Sequence, residues 1–401
     1  MSSLQPVKEA LAHILSQTPP APPAEQRELL QALGAILAED VVAAIDVPTQ
    51  DNSAMDGYAL RAADAGAPLP VSQRIPAGVA AQPLAPGTAA RIFTGAPIPP
   101  GADTVVMQER CREANGRVEI SGRVERGDCI RRRGQDIGAG STALGAGWRL
   151  QPQDLGLLAS LGIARIGVHR PLAVAVVSTG DELVEPGAQA GLQPGQLFNS
   201  NRTMLAALLQ RLGMRVIDGG ILPDDGPATA AAFERLVGEA DCIISSGGVS
   251  VGEEDHVKTE VERLGELSLW RLAIKPGKPL AFGRVGSTPF IGLPGNPTSS
   301  FVTFCLVARP FLLKFQGAED FLPRAVPAVA GFRVQRPGSR EDYVRVNLQR
   351  EGGVLVARRF PNQSSGVLSS VCYSDALAVV PVGVTLEEGD PVDVLLLQSL
   401  V

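Results

Sequence analysis

The chain has 401 residues, of which 45% are apolar and 19% are charged, and it contains 44 Gly and 32 Pro. This composition is typical of a turn-rich globular protein with several domains, and it excludes a disordered chain. The formal net charge of −6 argues against general nucleic-acid binding, which depends on neutralising phosphates with basic residues.

Residue usage also restricts the chemistry. The chain has three His and five Lys beside 31 Arg, so a catalyst built on several histidines or a His-rich zinc site is not expected. The five Cys form no CxxC pair, no apolar run reaches about 18 residues, and the N-terminus lacks the apolar segment of a signal peptide. We therefore expect a cytoplasmic protein without structural zinc and without a membrane partner.

The N-terminal part is predicted to be a helical domain interrupted by a β-rich one. Residues 4–45 carry apolar residues at helical spacing, including a second periodic stretch over Glu25–Ala38. Residues 46–144 are dense in Gly and Pro and contain only short strand-like runs. Helical periodicity returns at Asp154–Leu161, so we predict that the β-rich segment is inserted into the helical domain.

From residue 170 onward, strand and helix patterns alternate, which predicts a doubly wound α/β domain. The predicted strands are Leu172–Ser178, Arg215–Leu222, Asp241–Ser246 and Pro289–Leu293; the predicted helices are Thr203–Leu212 (capped by Ser200 or Asn201), Pro227–Gly238, Val257–Leu264 and Ser299–Leu313. After residue 323 only short β runs remain, typical of a small β domain.

The fold class is thus multidomain α/β, with four predicted domains. These are a helical domain I (1–45 plus 145–169), an inserted β-rich domain II (46–144), a central doubly wound α/β domain III (170–322) and a C-terminal, β-barrel-like domain IV (323–401).

Polar residues follow all four predicted parallel strands. Ligands of open α/β sheets bind beyond the carboxyl ends of the strands. The four strand ends carry the stretch 178–182, the pair Asp224 and Asp225, the stretch Ser245–Ser250 with Glu253–Asp255, and the turn 292–297. Any one of these stretches alone is more typical of a turn, a helix start or a solvated acidic face. Four ends of one sheet together predict a shared pocket.

The residue types at these ends indicate an anionic ligand with a cation. Glycine-rich turns such as Ser245–Ser250 present backbone N–H groups to phosphate, and a following helix adds its dipole. Carboxylates beside phosphate require a divalent cation between them, so Glu182, Asp224 and Asp255 predict Mg²⁺. Asp225 is the open alternative to Asp224 as the metal ligand.

Two of the five lysines lie close together in the run Lys275-Pro-Gly-Lys278-Pro. Most lysines of this kind are surface residues that bind no ligand, and this is the alternative interpretation of the two. Spaced by three residues and stiffened by proline, these two offer point charges to an oxyanion beside the predicted pocket.

The β-rich segment contains a second dense set of polar residues. It comprises Asp51–Ala59, Arg91–Pro97 and Ile130–Ile137. The last of these places three arginines next to Asp136. This arginine run has two possible interpretations. It is either a solvated basic segment or an ordered turn that binds an anion or lies at an interface.

These stretches together resemble the MoeA and gephyrin E-domain family of molybdopterin molybdenumtransferases. The resemblance is carried, in the family's order and with similar spacing, by DNSAMDGYALR (51–61), RIFTGAPIPPGADTVVMQE (91–109), RRRGQDI (131–137), STGDEL (178–183), ISSGGVSVGEEDHVK (244–258), AIKPGKPLAFG (273–283) and GLPGNPTSS (292–300). The region from 323 matches more loosely.

The resemblance implies an enzyme of molybdenum cofactor biosynthesis whose α/β domain is of the molybdopterin-binding type. It implies that molybdate and adenylylated molybdopterin bind together with Mg²⁺, that molybdenum is inserted and that AMP is released. It also implies a homodimer in which the pocket lies between the α/β domain of one subunit and the β-rich domain of the other. The adenylyltransferase that supplies the substrate and the apo-molybdoenzymes that receive the cofactor are further expected partners.

The resemblance also assigns roles to residues. The catalytic set is Asp56, Thr94 and Asp136 from the partner subunit, with Glu182, Asp224 and Asp255 as acids near the nucleotide phosphate and the metal. The pterin and AMP set is Ser178, Gly180, Ser245, Gly247, Gly248, Ser250, Pro294, Gly295 and Asn296. The molybdate set is Lys275, Lys278, Ser299, Arg345 and Ser365.

For the phosphoanhydride cleavage that the resemblance implies, the carboxylates and lysines predict electrostatic catalysis without a covalent enzyme intermediate. Two other functions remain as alternatives. One is molybdopterin adenylyltransferase, whose fold resembles residues 170–322, and the other is a non-catalytic scaffold of the gephyrin type.

Overall fold

The computed structural model of the chain describes residues 4–222, 225–248 and 256–401. Its described part contains three six-stranded sheets and several two-stranded pairs. One sheet belongs to the β-rich segment, one to the central α/β unit and one to the C-terminal region.

The central sheet confirms the predicted doubly wound α/β unit. Its strands lie in the order Arg215–Leu222, Ala173–Thr179, Cys242–Ser246, Thr288–Leu293, Pro279–Val285 and Gly265–Arg271. The first four strands pair in parallel. The last two extend the sheet as antiparallel strands, and these two were not predicted from the sequence. Ala173–Thr179 is buried on both faces, as its continuous apolar run predicts.

Helices cover both faces of this sheet. The helices are Ser200–Arg211, Gly226–Glu239, His256–Leu264 and the helical run Pro297–Phe315. Val174 and Val176 pack with Leu205 and Leu209 in one core cluster. Ala175 and Val177 pack with Phe233 and Leu236 in a second cluster on the opposite face. Alternate residues of one strand therefore anchor two separate cores.

The first of these helices begins earlier than predicted. It starts at Ser200 and is capped by Asn199, whose side-chain oxygen accepts from the backbone N–H of Arg202 at 3.3 Å. The expectation that Ser200 or Asn201 provides the cap was therefore wrong. Asn201 lies inside the first turn, where its side chain is free to point toward neighbouring strand ends.

The last helical run is continuous but irregular. It consists of α-helical Pro297–Thr303, a π-helical turn Phe304–Ala308 and α-helical Arg309–Phe315. Among the described residues, this run alone is long and apolar enough to cross a membrane, with a mean hydropathy of 1.2. Burial of 89% of that window inside the protein is typical of the core helix of a globular domain.

The N-terminal region is only partly helical. Val7–Ser16 and Pro152–Ser160 are helices. Ala24–Glu28 is a strand that pairs antiparallel with Arg165–His169, and Leu29–Ala32 forms a short 3₁₀ turn.

The predicted helix over Glu25–Ala38 was therefore wrong. Its apolar residues do not share one buried face, since Leu30 is 82% exposed and Leu33 is 53% exposed. Ile36 and Leu37 instead form isolated bridges to Arg149 and Val168.

The segment after this region is β-rich, as predicted. Its six strands lie in the order Thr104–Met107, Gly57–Leu60, Ala89–Ile92, Leu69–Ile75, Arg117–Ile120 and Cys111–Ala114. Two short pairs join its ends, namely Asn52–Ser53 with Ile130–Arg131 and Val41–Val42 with Thr142–Leu144. Short 3₁₀ turns occupy Ala62–Asp64 and Gln108–Arg110.

The C-terminal region forms a closed five-stranded barrel, which confirms the barrel-like prediction. Its strands are Glu341–Glu351, Val354–Arg359, Ala325–Ala330, Pro391–Leu396 and Ala376–Val380, and the first also pairs with the last. Ser369–Cys372 and Leu397–Leu400 are short helices. Ile274–Lys275 pairs in parallel with Glu341 and Asp342, so the barrel is joined by hydrogen bonds to the α/β unit.

Candidate functional site

A cavity of about 1020 Å³ lies at the carboxyl ends of the central strands and reaches the barrel. Parallel strands bring their carboxyl ends to the same edge, which places Thr179, Ser246 and Pro294 together. Ten of the predicted site residues line this cavity: Glu182, Gly247, Gly248, Lys275, Lys278, Pro294, Gly295, Asn296, Ser299 and Ser365.

Two glycine turns form one wall of the cavity. Gly247 donates its N–H to Leu293 O at 3.0 Å, and Gly247 and Gly248 have φ values of 89° and 65°. A Cβ on either residue would lie 3.0 Å from Thr179 Oγ1. A Cβ on Gly295 would lie 3.9 Å from Gly247 Cα, so the two turns are close neighbours. The packing therefore leaves little room for a side chain at Gly247 or Gly248, and the Gly247 N–H is already engaged by Leu293 O.

Asn201 holds these two turns together and was missed by the sequence analysis. Its Nδ2 donates to Ser246 Oγ at 2.8 Å and to Gly295 O at 2.6 Å. The side chain is nearly buried, at 8% exposed, and lines the cavity. Asn201 was interpreted only as a candidate helix cap, with Ser200 as the alternative, although two asparagines at one helix start leave one of them free for another contact.

Glu182 projects its carboxylate over Gly180. A Cβ on Gly180, which has a φ of 133°, would lie 2.2 Å from Glu182 Oε2. Gly180 itself is not part of the cavity lining, so its contribution is the space it leaves for the carboxylate. In the part of the chain that the structure describes, that carboxylate has no hydrogen-bond or ion-pair partner.

The predicted serines Ser178 and Ser245 lie behind the cavity wall. Both are fully buried. Ser178 Oγ donates to Asn199 Oδ1 at 3.4 Å, and Ser245 Oγ donates to Gly247 O at 2.9 Å. They therefore shape the turns, and the structure does not place them against a ligand.

The structure tests only part of the predicted magnesium set. Asp224, Asp255 and also Ser250 lie outside the described residues. Asp225 accepts the backbone N–H of Ala228 at 2.8 Å as the N-cap of Gly226–Glu239, so its carboxylate already has a structural role.

Within residues 4–222, 225–248 and 256–401, no cluster of three or more His, Cys, Asp or Glu side chains is arranged to hold a metal. Mg²⁺ at phosphate sites needs only one or two carboxylates and completes its shell with water and substrate oxygens. The unpartnered carboxylate of Glu182 at the cavity wall fits a single ligand of this kind.

The two predicted lysines both line the cavity, but only one of them has an ion-pair partner among the described residues. Lys275 Nζ donates to Asp342 Oδ2 at 2.9 Å, so its charge is paired with an acid of the barrel. Lys278 is exposed, and no partner for its ammonium is found among the described residues. Gly277 between them has a φ of 100° and packs so closely on Thr303 that a Cβ would lie 2.5 Å from Thr303 Oγ1.

The barrel contributes Arg340 to the cavity wall in place of Arg345. Arg345 is fully buried and donates from Nε to Ser370 Oγ at 3.3 Å and from Nη1 to Tyr343 O at 3.2 Å. Burial lowers the pKa of its guanidinium to about 10. Arg340 lines the cavity and donates to Ile274 O at 3.3 Å. Of the two barrel residues predicted for the molybdate set, Ser365 lines the cavity and Arg345 does not.

The polar set of the β-rich segment forms ordered turns away from this cavity. Asp56 Oδ1 accepts from both the N–H and the hydroxyl of Thr94 at 2.7 Å, and these hydrogen bonds lower the pKa of Asp56. Arg132 pairs with Asp51 at 2.6 Å, so the triple-arginine run is an ordered turn. Asp56, Thr94 and the exposed Asp136 do not line the cavity of their own chain.

Known proteins match every part of this architecture. The family model described as MoeA N-terminal region (domain I and II) matches residues 5–162. The model of a probable molybdopterin binding domain matches 175–314, and the model of the MoeA C-terminal region (domain IV) matches 327–397. A solved structure of a molybdopterin biosynthesis moeA protein from Pyrococcus horikoshii superimposes with a TM-score of 0.84 at 30% identity, covering 98% of this chain and 100% of that chain.

Curated relatives are similar in sequence over nearly the whole length of this chain. A Haemophilus influenzae protein named molybdopterin molybdenumtransferase is 42% identical over 381 residues, which is 93% of each chain. A protein of the same name from Nostoc sp. is 38% identical over 385 residues, covering 92% of this chain and 88% of the relative. The chain therefore belongs to the MoeA family of molybdopterin molybdenumtransferases.

Proposed function

We propose that this chain is an enzyme that inserts molybdenum from molybdate into adenylylated molybdopterin and releases AMP. The observation that carries the proposal is the shared cavity, where two glycine turns and two lysines from one edge of the sheet face Arg340 of the barrel. Such a cavity holds two anions next to each other. The relatives named molybdopterin molybdenumtransferase, which match 93% and 92% of the chain, support this activity over the adenylyltransferase and scaffold alternatives.

The turns at Gly247–Gly248 and Gly295 are proposed to bind the adenylyl and pterin phosphates. Their positive φ or close packing keeps side chains out of the way. The Gly247 N–H already donates to Leu293 O, so the N–H groups of Gly248 and Gly295 are the donors proposed to reach the ligand. Asn201 fixes the distance between the two turns through its bonds to Ser246 and Gly295. Preorganised donors of this kind stabilise charge that develops during phosphoanhydride cleavage.

Lys275 and Lys278 are proposed to hold molybdate, with Ser299 and Ser365 as neutral hydrogen-bonding groups in the same cavity. Glu182 is the described residue that would hold Mg²⁺, and Asp224 and Asp255 remain proposed ligands beside it. Bound Mg²⁺ would neutralise phosphate charge. Attack by water on the adenylyl phosphorus breaks the phosphoanhydride bond and gives AMP directly, with molybdopterin phosphate as the leaving group. Attack by a molybdate oxygen expels the same leaving group but forms adenylyl molybdate, which water must then cleave to AMP and molybdate.

A homodimer is proposed to complete the site. Asp56 and Thr94 form a tightly bonded turn, and neither residue lines the cavity of its own chain. If a second copy supplies them, Asp56→Ala and Glu182→Gln chains should each be inactive alone, and a mixed dimer should regain activity at one of its two sites. Absence of any regained activity in a purified mixed dimer would contradict the composite site.

The cellular setting is a further proposal. All five cysteines are free thiols in the structure, which supports a reducing, cytoplasmic compartment. The proposed adenylyltransferase and apo-molybdoenzyme partners would then be met in the same compartment.

The activity itself is tested by supplying purified protein with adenylylated molybdopterin, Mg²⁺ and molybdate. We expect a cofactor that activates an apo-molybdoenzyme, without consumption of ATP. Consumption of ATP with formation of adenylylated molybdopterin would instead favour the adenylyltransferase.

A further inference from the structure

A second cavity, of about 660 Å³, lies on the barrel next to the substrate cavity. The two cavities share Lys275 and Arg340 in their linings. A molecule bound in the second cavity is therefore adjacent to the lysine proposed to hold molybdate. This second cavity is called the outer cavity below.

The charge of the outer cavity is strongly one-sided. Its charged residues are Lys275, Arg333, Arg336, Arg340, Arg359 and Asp342. Residues 323–401 contain eight arginines and eight acidic residues in total, yet four of those arginines and only one of those acids line the outer cavity. In a chain with a net charge of −6, this local positive excess is a specific feature of the barrel.

Several of these cations are available to a ligand. Arg336 and Arg359 are exposed, and neither makes an ion pair or a side-chain hydrogen bond with the described residues. Arg333 pairs with Glu387 at 3.1 Å, but this pair is open to solvent and contributes little. Planar guanidinium groups match the geometry of tetrahedral oxyanions, which accept two parallel hydrogen bonds from them.

Behind this wall lies the buried side chain of Arg345. Its Nη2 has no hydrogen-bond partner. The pKa of Arg345 is lowered first by burial and further by the neighbouring charge of Arg359, while Asp342 opposes the shift. Because the effect of Asp342 at Arg345 is larger than that of Arg359, the positive excess of the outer cavity rests on its lining residues and not on Arg345.

We propose that the outer cavity is a second oxyanion site, which captures molybdate from solvent and delivers it past Lys275 and Arg340 to the substrate cavity. The proposal rests on the proposed function for the identity of the oxyanion. Asp342, the single acid of the outer cavity, keeps the capture weak enough for transfer because it competes with the anion for Lys275. An acidic segment of a partner protein is the less favoured occupant, since the shared lining points toward the substrate cavity.

The test compares Arg336→Ala/Arg359→Ala with Arg350→Ala. Arg350 is an exposed arginine of the same barrel that lines neither cavity, so its loss controls for the removal of a barrel arginine outside the cavities. Equilibrium binding of molybdate alone should show two sites in the wild type and the control, and one site in the double variant. Because this readout needs no turnover, it remains valid even if the proposed activity is absent.

Steady-state kinetics give the second readout. In the double variant, the KM for molybdate should rise about tenfold while kcat at saturating molybdate stays unchanged, as expected when a charge-assisted contact of about 1.4 kcal/mol is lost. The dependence of kcat/KM on ionic strength should also flatten. Sulfate and phosphate, added as competitors, distinguish a general anion site from one that prefers molybdate.

Three results would overturn the proposal. The first is two-site molybdate binding by the double variant, with the affinities of the Arg350→Ala control. The second is a fall in kcat at saturating molybdate without a change in KM. The third is unchanged molybdate binding together with lost binding of an acidic peptide, which would assign the outer cavity to a protein partner.

Discussion

The ammonium of Lys275 is 2.9 Å from the carboxylate of Asp342, and the same two residues pair in the short parallel strand contact between the α/β unit and the barrel. The lysine side chain is 46% exposed and that of Asp342 is 26% exposed, so the pair is open to an incoming ion. An oxyanion that binds Lys275 must compete with Asp342. The acid therefore sets how tightly the cavity holds the anion.

Removing this competitor should strengthen anion binding. We expect Asp342→Asn to lower the dissociation constant of molybdate by about threefold to tenfold, because a partly exposed ion pair of about 1 kcal/mol no longer occupies Lys275. Isothermal titration with molybdate measures this change. Asp393→Asn is the matched control, since Asp393 is an exposed barrel acid that lines neither cavity. Equal dissociation constants for both variants would show that Asp342 does not compete.

Lys278 offers an ammonium with no partner in the described structure. Lys278→Ala should weaken molybdate binding about tenfold, as expected for the loss of one charge-assisted contact. Lys8→Ala removes an exposed lysine from the helix Val7–Ser16 and serves as the control for net charge. If both lysine variants bind molybdate equally well, Lys278 is not part of the oxyanion site.

The carboxylate of Glu182 occupies the space above Gly180. Gly180→Ala should displace that carboxylate, because the new Cβ would lie 2.2 Å from Oε2, and activity should then need a much higher Mg²⁺ concentration. Gly187→Ala is the matched control, since Gly187 also has a positive φ, 87°, but a Cβ there has nothing within 4 Å. Comparable Mg²⁺ titrations for the two variants would contradict the metal role of Glu182.

Asn201 should contribute to stability as well as to the site. Asn201→Ala removes the bonds to Ser246 Oγ and Gly295 O, and the free energy of unfolding should fall by about 1–3 kcal/mol. Ser246→Ala removes only the first of these bonds and should cost less. Urea unfolding of both variants measures the difference. A larger loss for Ser246→Ala would show that the bond to Gly295 is unimportant.

The Arg170–Asp241 pair predicts a pH dependence of stability. Burial raises the pKa of Asp241, but the hydrogen bonds from Arg170 and from the Ala173 N–H, each 2.7 Å, more than offset it and leave the pKa below 3.8. The unfolded chain therefore binds this proton more readily. The stabilisation is present above about pH 4 and is lost as the pH falls through the lowered pKa.

Asp241→Asn should accordingly destabilise the protein by about 1–2 kcal/mol at pH 7, a modest value because both side chains are partly exposed. The difference from the wild type should be smaller at a pH below 3.8 than at pH 7. Unfolding curves at the two pH values provide the measurement, and a difference independent of pH would contradict the charge-based account.

The parallel strands of the α/β unit could be predicted because strands buried on both faces have continuous apolar sequences, as in Ala173–Thr179. The strands Gly265–Arg271 and Pro279–Val285 were not predicted. Their sequences mix polar residues, Gly and Pro with apolar ones, and their pairing at the sheet edge is set by tertiary contacts.

The cavity residues at the ends of the parallel strands could be predicted from the sequence. The cavity residues contributed by the barrel could not all be predicted. Glu182, Gly247 and Gly295 follow strands, and parallel pairing must bring them to one edge. The choice between Arg340 and Arg345 depends on which side of a barrel strand faces the neighbouring unit. The sequence after residue 323 resembles the family only loosely, so it did not show which of the two arginines faces the α/β unit. In the structure Arg345 is buried inside the barrel.

The central claim is that molybdate bound by Lys275 and Lys278 drives cleavage of the adenylyl bond in the shared cavity. The most direct test measures AMP release from adenylylated molybdopterin against molybdate concentration, for the wild type and for Lys275→Ala/Lys278→Ala. The account predicts AMP release only when molybdate is present, and at least a tenfold higher molybdate requirement in the double variant. AMP release that is independent of molybdate, or an unchanged requirement in the double variant, would contradict it.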